Sequence, residues 1–543
     1  MRKGLEMFRS IRVPGGKKRK HEDDDEDEFF RCDVRRPPSK KQHKSNEKQE
    51  KVKATCAVES VAPLYNVPYE DQIKQKLEQS KKNVTIITRR LRKKFVKRCK
   101  KDNTVHWNGF MQCKDKRFYD LCPTENVRTS AKVNGYRNKC QFTFGRDKDD
   151  KICAGFRIGS FEDTIKIDSP EDCPNVAEVS KLVAKLATEF VSTSKLEVYD
   201  VISKKGFWYQ LMTRHAERTK EVMILLMVKP VDDKDLVKSE VERFCKFMQD
   251  SKEMQSSPTR LVSIWISTYE GTGNVVSNKN VQTEHVWGKK CIQEKLLGRT
   301  FEISPLSFFQ VNTLGAEALY SIVRDCVQDC KKRRKSSNEI TIALDICCGT
   351  GTIGICMSDI VDLVIGVEIC EPAVKDAKRN AELNGVENAH FVCRAAEKEL
   401  RSLLQKESRI RDVAKSLLPK LFEKDENRPI RLIAIVDPPR CGLHSKAVRS
   451  LRKCTLIDDL IYVSCNPSGS LIDNAIDLCR PEILTEKNRD FIKGAHFNLT
   501  HAYPVDMFPH TTHCEMVMKF ERGDDDNKVK NAADHPEKTK NEC

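Results

Sequence analysis

The sequence predicts an α/β protein in which a doubly wound parallel sheet follows a smaller α+β domain. Apolar runs and helical segments alternate from about residue 340 to about 522, which is the order of parallel strands joined by helical crossovers. A glycine-rich turn follows the first strand of that region. Between about 125 and 305, short β-rich runs surround one helix at roughly Val176–Ser192, which is typical of an α+β domain.

Charge and composition divide the 543 residues further. Highly charged stretches at both ends cannot bury enough apolar surface to fold, whereas the remainder can supply two or three cores. The predicted organisation is a disordered tail over 1–52, a basic helical segment over 53–124, a central α+β domain over 125–305, an α/β domain over 306–522 and a second tail over 523–543.

The overall composition restricts the class of partner and the compartment. A formal net charge of +17 indicates a polyanionic partner and favours RNA or DNA over a membrane surface. The 23 cysteines are scattered without a small-domain framework, so reduced intracellular thiols are expected. No apolar run is long enough to span a bilayer, so no membrane partner is expected.

Several basic segments have two interpretations each. Lys17–Lys20 is either a nuclear-import signal or a solvated tail, and the acidic run Glu22–Glu28 argues against a mitochondrial presequence, so cytoplasm or nucleus is expected. In the helical segment from Pro68 to Lys101, Arg89–Lys94 is either a phosphate-binding stripe or a solvated helix face. Tyr136–Lys139 suits base stacking with phosphate contact, or is a structural strand edge.

The first strand of the α/β region leads into the motif on which the functional prediction depends. Thr341–Gly354 reads TIALDICCGTGTIG, in which an apolar strand ends near Asp345 and a helix follows the glycines. Gly349, Gly351 and Gly354 match the spelling of a dinucleotide-binding turn. A carboxylate at the strand tip would repel a pyrophosphate but attract the sulfonium of S-adenosylmethionine. We therefore interpret the stretch as a methyl-donor loop.

The following strands bring further polar residues to the same edge of the predicted sheet. Leu363–Val367 ends in Glu368, at the position where an acid bonds ribose hydroxyls. Later strands deliver Asp437 and Cys465, and carboxyl ends of parallel strands share one crevice. Ahead of the sheet, the Ser307–Asn312 run places Gln310 beside two aromatic residues, a mixture that suits an adenine or a nucleoside.

Two residues are candidates for chemistry. Asn466 and Pro467 predict that a helix begins directly after Cys465, which would lower the thiol pKa and favour the thiolate. A reactive thiol beside a methyl donor indicates covalent catalysis at an unreactive carbon. Glu515 opens the apolar strand Met516–Met518, so it is either a partly buried general base with a raised pKa or an exposed strand-edge acid.

Taken in order, these motifs resemble the RNA uracil-C5 methyltransferase family from about Pro68 to Glu521. Each motif alone is weak, but their order along the chain is specific. The motifs are Phe308–Asn312, Asp345–Gly351, Asp437–Arg440, Ser464–Pro467 and His513–Glu515, with Val67–Glu70 and Tyr136–Cys140 as further points of likeness.

The resemblance implies a Rossmann-like class I methyltransferase domain that uses S-adenosylmethionine to convert a tRNA uridine, the T-loop uridine 54, to 5-methyluridine. By that likeness Gln310, Glu368 and Asp437 contact the donor, Cys465 is the nucleophile that adds to C6 of uracil, and Glu515 is the base that removes the C5 proton. The role of Arg440 is left open between the enolate oxygen and a phosphate. No metal is expected, and Cys99, Cys113, Cys122 and Cys140 are too irregularly spaced for the iron–sulfur cluster of some bacterial relatives.

Two other functions are kept as alternatives. One is a nucleic-acid methyltransferase that acts on cytosine C5 or on an exocyclic amine, and an amine target would need no Cys465. The other is an RNA-binding or tRNA-folding protein with a vestigial donor site, which the basic charge would also explain.

Overall fold

The structure is a computed structural model that describes residues 54–93, 122–158, 166–270, 281–333, 336, 338–404, 406–481 and 494–522. The two predicted tails, the Lys17–Lys20 cluster and Lys94 lie outside the described residues. Within the described ranges no helix is long and apolar enough to cross a membrane.

Strands in the described ranges are numbered in chain order. They are β1 (Arg128–Thr129), β2 (Lys139–Arg146), β3 (Ile152–Ile158), β4 (Lys166–Asp168), β5 (Trp208–His215), β6 (Glu221–Val228), β7 (Arg260–Tyr269), β8 (Val281–Gly288), β9 (Ile292–Leu296), β10 (Arg299–Ile303), β11 (Ile340–Ile346), β12 (Leu363–Glu368), β13 (Ala389–Cys393), β14 (Ile430–Val436), β15 (Ile457–Ser464), β16 (Phe497–Asp506) and β17 (Glu515–Arg522).

Helices are numbered in the same way. They are α1 (Ala57–Val61), α2 (Tyr69–Leu91), α3 (Glu178–Ser192), α4 (Lys234–Asp250), α5 (Lys252–Ser256), α6 (Thr313–Lys332), α7 (Thr352–Met357), α8 (Glu371–Leu383), α9 (Ala396–Leu403), α10 (Glu407–Leu417), α11 (Ser445–Lys453) and α12 (Ser470–Cys479).

The chain forms two compact units, and the first contains residues within 1–65, 137–216 and 220–292. Its described strands form a sheet of order β4-β3-β2-β5-β6-β7-β8, in which only the β6–β7 pair is parallel. Helices α3 and α4 bury their apolar faces against this sheet. At the centre, Trp208 meets the ring of Phe190 edge-on at 5.9 Å and donates its indole N–H to Ser194 Oγ at 3.0 Å.

The second unit contains 66–136, 217–219 and 293–543 and carries the predicted α/β domain. Its described strands form a sheet of order β1-β16-β17-β15-β14-β11-β12-β13. Neighbouring strands from β15 to β13 run parallel, whereas β17 lies antiparallel between β15 and β16. The order of the parallel strands reverses direction beside β11, which is where open α/β sheets bind ligands.

Both faces of this sheet are covered, as the apolar strand sequences require. All seven residues of β11 and of β14 are buried. Ile340, Ile342 and Leu344 face a core shared with α2, α9, α11 and α12, while α7 lies on the opposite face, where Gly354 is beside Asp345. The fold-class prediction of a doubly wound domain with an accompanying α+β unit is therefore confirmed.

Helix α2 belongs to the second unit and presents two different faces. One face is buried and changes along the helix from polar residues to the apolar Val84, Ile87 and Leu91, which enter the main core. The opposite face exposes Arg89 and Arg90. The predicted basic stripe is thus on the solvent side of a helix whose other side is structural.

Replacing Ile342 with Ala should lower the free energy of unfolding by about 2–5 kcal/mol, because its side chain is fully buried in the middle of the second unit's sheet. Urea denaturation followed by circular dichroism measures the loss. Leu383→Ala is the matched control, since Leu383 is 43% exposed on α8 and should change stability by about 0.5 kcal/mol or less. Equal losses in the two variants would contradict the placement of Ile342.

Candidate active site

A tight loop joins β11 to α7, and its backbone explains the glycines. Cys347, Gly349 and Gly351 have positive φ angles of 64°, 54° and 77°. A Cβ on Gly351 would lie 2.8 Å from Cζ of Phe391, so a larger residue there would collide with a core ring. A Cβ on Gly349 would meet nothing within 4 Å, which leaves open space beside the loop.

Asp345 lies under this loop as a fully buried carboxyl group. Its Oδ2 accepts a hydrogen bond of 2.8 Å from the Gly354 N–H, while Oδ1 has no hydrogen-bond partner among the described residues. Burial raises the pKa of Asp345 to about 7, and the Glu368 charge adds to that rise. A buried acceptor left without a donor is costly, and a cationic ligand beside the loop would relieve that cost.

Glu368, at the end of β12, connects that strand to the glycine loop. Its Oε2 accepts from the Gly349 N–H at 3.0 Å, and its Oε1 accepts from the N–H groups of Ile369 and Cys370 at 2.8 and 2.9 Å. The carboxylate thereby fixes the loop backbone. Both oxygens retain acceptor capacity, so a ribose hydroxyl could add to these contacts.

The Phe308–Asn312 motif leads into α6 beside the same loop. The Thr350 hydroxyl donates to the Phe308 carbonyl at 3.4 Å, and Gln310 is buried. Asn312 caps α6 by accepting from the Gly315 N–H at 2.9 Å, and its amide donates to the Met507 carbonyl at 3.0 Å. The motif therefore joins the glycine loop to the segment that precedes β17.

Cys465 and Glu515 stand at the ends of neighbouring strands. The last pair of the β15–β17 ladder joins Ser464 to Met516. Cys465 directly follows Ser464 and Glu515 directly precedes Met516, so both residues lie at the same edge of the sheet. Glu515 is buried, and its Oε2 has no hydrogen-bond partner in the described part of the chain. Burial raises the Glu515 pKa to about 7, although the Arg440 charge lowers it.

The predicted lowering of the Cys465 pKa is wrong for this structure. Burial, with the charges of Glu515 and Asp437, raises the thiol pKa to about 11, and Arg440 only partly opposes the rise. The predicted helix start at Pro467 is also wrong, because Asn466–Gly469 form a turn and α12 begins at Ser470. The helix N-terminus therefore does not directly follow the sulfur.

Asp437 interacts electrostatically with Asp345 on one side and with Glu515 and Cys465 on the other. It directly follows β14, and its pKa is raised well above the ordinary value by burial and by the charges of Glu515 and Asp345. Arg440, three residues on, is exposed, and its carbonyl accepts from Asn466 Nδ2 at 3.2 Å. Acidic groups from three separate strands thus influence one another at this edge, with one arginine nearby.

Comparison with known proteins identifies the family. The family model for tRNA (Uracil-5-)-methyltransferase matches residues 299–522. The tRNA (uracil-5-)-methyltransferase homolog A of Mus musculus is 33% identical over 489 residues, which cover 90% of this chain and 72% of the mouse protein. The human homolog A is 33% identical over 90% of this chain and 70% of its own length.

The chain belongs to the tRNA (uracil-5-)-methyltransferase family. This confirms the resemblance noted in the sequence. The fold also matches the crystal structure of Pyrococcus abyssi tRNA (uracil-54, C5)-methyltransferase in complex with S-adenosyl-L-homocysteine, with a TM-score of 0.54, 22% identity and 84% of each chain covered.

Within this family member, the residues expected from the sequence converge at one edge of the second unit. The structure also shows residues that the sequence analysis missed, namely the buried polar residues of α2 beside the loops around Cys465 and Glu515. Gln72, Lys76 and Ser80 are spaced four residues apart and so lie on one face of the helix. This spacing was the signal in the sequence that could have indicated them, since a buried polar stripe on a helix needs partners elsewhere in the chain. Among the described residues, no group of three His, Cys, Asp or Glu could hold a metal ion.

The raised Glu515 pKa gives a pH dependence of stability with a defined sign. The folded chain holds this proton more tightly than an unfolded chain with a pKa of 4.5, so unfolding releases a proton between about pH 4.5 and 7 and stability falls as the pH rises. In Glu515→Gln the side chain cannot ionise, so the variant escapes this loss of stability. The free energy of unfolding of the variant minus that of the wild type should therefore increase by about 3 kcal/mol from pH 4.5 to pH 8. Urea titrations at both pH values measure this, and the exposed Glu78→Gln should show no such trend.

Proposed function

We propose that this chain transfers a methyl group from S-adenosylmethionine to C5 of a tRNA uridine, the T-loop uridine 54, through a covalent bond between Cys465 and C6 of the base. The observation that carries the proposal is the pairing of Ser464 with Met516 in a family member, because it makes Cys465 and Glu515 neighbours at the same sheet edge at which β11 ends in the glycine loop.

The proposed donor site comprises the glycine loop and the acids around it. The free Oδ1 of Asp345 and the open space beside Gly349 suit a cationic donor, and Gly351 permits the sharp turn into α7. Glu368 would accept from the ribose hydroxyls. Gln310 and Asp437 would contact the remaining polar groups of the donor. When bound, S-adenosylmethionine supplies the methyl group that C5 receives.

The two reacting residues have different tasks in the proposed cycle. C5 of uracil is a weak nucleophile. Once the Cys465 thiol has lost its proton to solvent, addition of the thiolate to C6 converts the ring to an enolate that is reactive at C5. After methylation, Glu515 removes the C5 proton, and elimination breaks the bond between sulfur and C6. A carboxyl with a pKa near 7 suits this step, because it is partly ionised at neutral pH and still basic.

Electrostatics in the site set the state of the thiol before reaction. A pKa of about 11 keeps Cys465 neutral at pH 7, because burial and the charges of Glu515 and Asp437 disfavour the thiolate. Arg440 is the cation that lowers the pKa of both Cys465 and Glu515. We propose that Arg440 offsets negative charge while the thiolate and the enolate form.

The RNA is proposed to lie along basic surfaces of the chain. Arg89, Arg90 and Lys93 are exposed on or directly after α2, and Arg90 makes only a solvent-exposed ion pair with Asp473 at 3.1 Å. Base stacking by Tyr136 is not proposed, because Tyr136 is 3% exposed and its hydroxyl donates to the Pro509 carbonyl at 3.0 Å; these contacts favour the strand-edge interpretation of Tyr136–Lys139. Cytoplasm or nucleus stays the proposed location.

Substitution of the two reacting residues should separate the steps of the cycle. Cys465→Ala should form neither product nor covalent RNA adduct. Glu515→Gln should complete one methyl transfer and stall, leaving methylated RNA attached to Cys465. A denaturing gel after incubation with tRNA and S-adenosylmethionine should show a slow band for Glu515→Gln and none for Cys465→Ala.

Further measurements on the same proteins discriminate the alternative functions. Nucleoside analysis of the wild-type product should give 5-methyluridine, whereas a methylated cytosine or amine would identify another nucleic-acid methyltransferase. Full turnover by Cys465→Ala would exclude the covalent mechanism. Absence of donor binding by the wild-type protein in equilibrium dialysis would favour an RNA-binding protein with a vestigial site.

Neutralising the exposed face of α2 should weaken RNA binding in a salt-dependent way. Each lysine or arginine that contacts a phosphate releases about one counterion, so Arg89→Gln, Arg90→Gln and Lys93→Gln together should reduce the slope of log affinity against log salt by up to about two to three. Filter binding of tRNA across a salt series measures the slope. An unchanged slope would mean that this face is only solvated.

A further inference from the structure

The buried polar residues of α2 contact both loops that carry the proposed catalytic residues. The first loop, Cys465–Gly469, follows β15, and the second, Met507–Cys514, joins β16 to Glu515. These loops are not neighbours in sequence, and α2 is far from both along the chain. All three segments belong to the second compact unit.

Near its N-terminus, α2 fixes the loop before Glu515. Gln72 Oε1 accepts from the His510 N–H at 2.8 Å, and the His510 ring lies 2.7 Å from Asn134 Oδ1. Lys76 Nζ donates to Asp506 Oδ1 at 2.6 Å and to the Phe508 carbonyl at 2.9 Å. His510 has a φ of 66°, so these contacts hold a backbone conformation that a non-glycine residue rarely adopts.

This anchoring involves buried, charge-assisted contacts. The side chains of Lys76 and Asp506 are 2% and 0% exposed, and the Tyr69 hydroxyl donates to the other oxygen of Asp506 at 2.9 Å. Such a pair is costly to break because it would leave an uncompensated buried charge. The loop leading to Glu515 is therefore rigidly attached to the helix.

Three turns further on, α2 contacts the loop after Cys465. Asn83 is 1% exposed, and its Oδ1 accepts from the Ser468 hydroxyl at 3.2 Å and from Gln79 Nε2 at 3.1 Å. Gln72 and Asn83 are separated by about 16 Å along the helix axis, at 1.5 Å per residue. One rigid helix thus sets the positions of the two loops relative to each other.

We infer that α2 is a positioning element for catalysis, in which Asn83 orients the nucleophile loop and Gln72 orients the general-base loop. The inference rests on the proposed function, because it assigns each end of the helix to a different step. Asn83 acts on formation of the bond between sulfur and C6, and Gln72 acts on removal of the C5 proton. Neither residue is proposed to touch the substrate.

Two substrates separate these steps. RNA containing 5-fluorouridine can form the adduct and accept the methyl group, but it has no C5 proton to lose, so it reports only the steps before the base acts. Turnover of ordinary tRNA requires both bond formation by Cys465 and removal of the C5 proton by Glu515. The ratio of the two rates is a measure that general loss of folded protein would not change.

Asn83→Ala should slow adduct formation on fluorinated RNA by about three- to tenfold, the effect of one lost hydrogen bond. Asn83→Asp keeps the acceptor oxygen and should restore the rate. Ser468→Ala removes the same bond from the loop side, and combining it with Asn83→Ala should add little further loss. Glu78→Ala, on the exposed face of α2, is the control that should behave as wild type.

Gln72→Ala should form the adduct with fluorinated RNA at a rate within about twofold of wild type. It should turn over ordinary tRNA about three- to tenfold more slowly, and the covalent adduct should accumulate. Asn134→Ala perturbs the same loop from an exposed position and should act alike if Gln72→Ala folds poorly. Equal slowing of both substrates by both variants, or no slowing, overturns the inference. Absence of a Cys465-dependent adduct in the wild type overturns the proposed function itself, and the inference with it.

Discussion

The antiparallel insertion of β17 between β15 and β16 is the constraint on which the site depends. A parallel strand in that place would begin at the far edge of the sheet, away from Cys465. Because β17 runs in the opposite direction, its first residue lies at the edge where β15 ends. The ladder pair Ser464–Met516 therefore fixes the spacing of Cys465 and Glu515, the proposed nucleophile and base, through backbone hydrogen bonds rather than through flexible side chains.

Several acidic groups meet at this edge, and burial is the main cause of their raised pKa values. Asp345 and Glu515 are protonated far more readily than exposed acids because burial disfavours their charged forms. Burial, together with the charges of Glu515 and Asp437, also keeps the Cys465 thiol neutral. A site that holds unsatisfied buried acceptors in this way is prepared for a cationic ligand, and that property agrees with methyl transfer from a sulfonium.

The geometry of the site is fixed by residues and elements that carry none of the proposed reacting groups. Glu368 holds the glycine loop through the Gly349 N–H, and the loops around Cys465 and Glu515 are both attached to α2. Catalytic groups perform best when a surrounding shell fixes their geometry. In this chain part of that shell comes from a helix that ends more than 370 residues before Cys465.

The sequence by itself determined the element order and the position of the glycine loop, because turn glycines and apolar strands are local signals. Residues such as Asp345, Glu368 and Cys465 could be placed at one edge because parallel strands share their carboxyl ends. Only the tertiary structure decided the direction of the Cys465 pKa, which depends on burial and on charges from other strands. It alone also showed that α2 is structural on one face, since the partners of Gln72 and Asn83 lie hundreds of residues away.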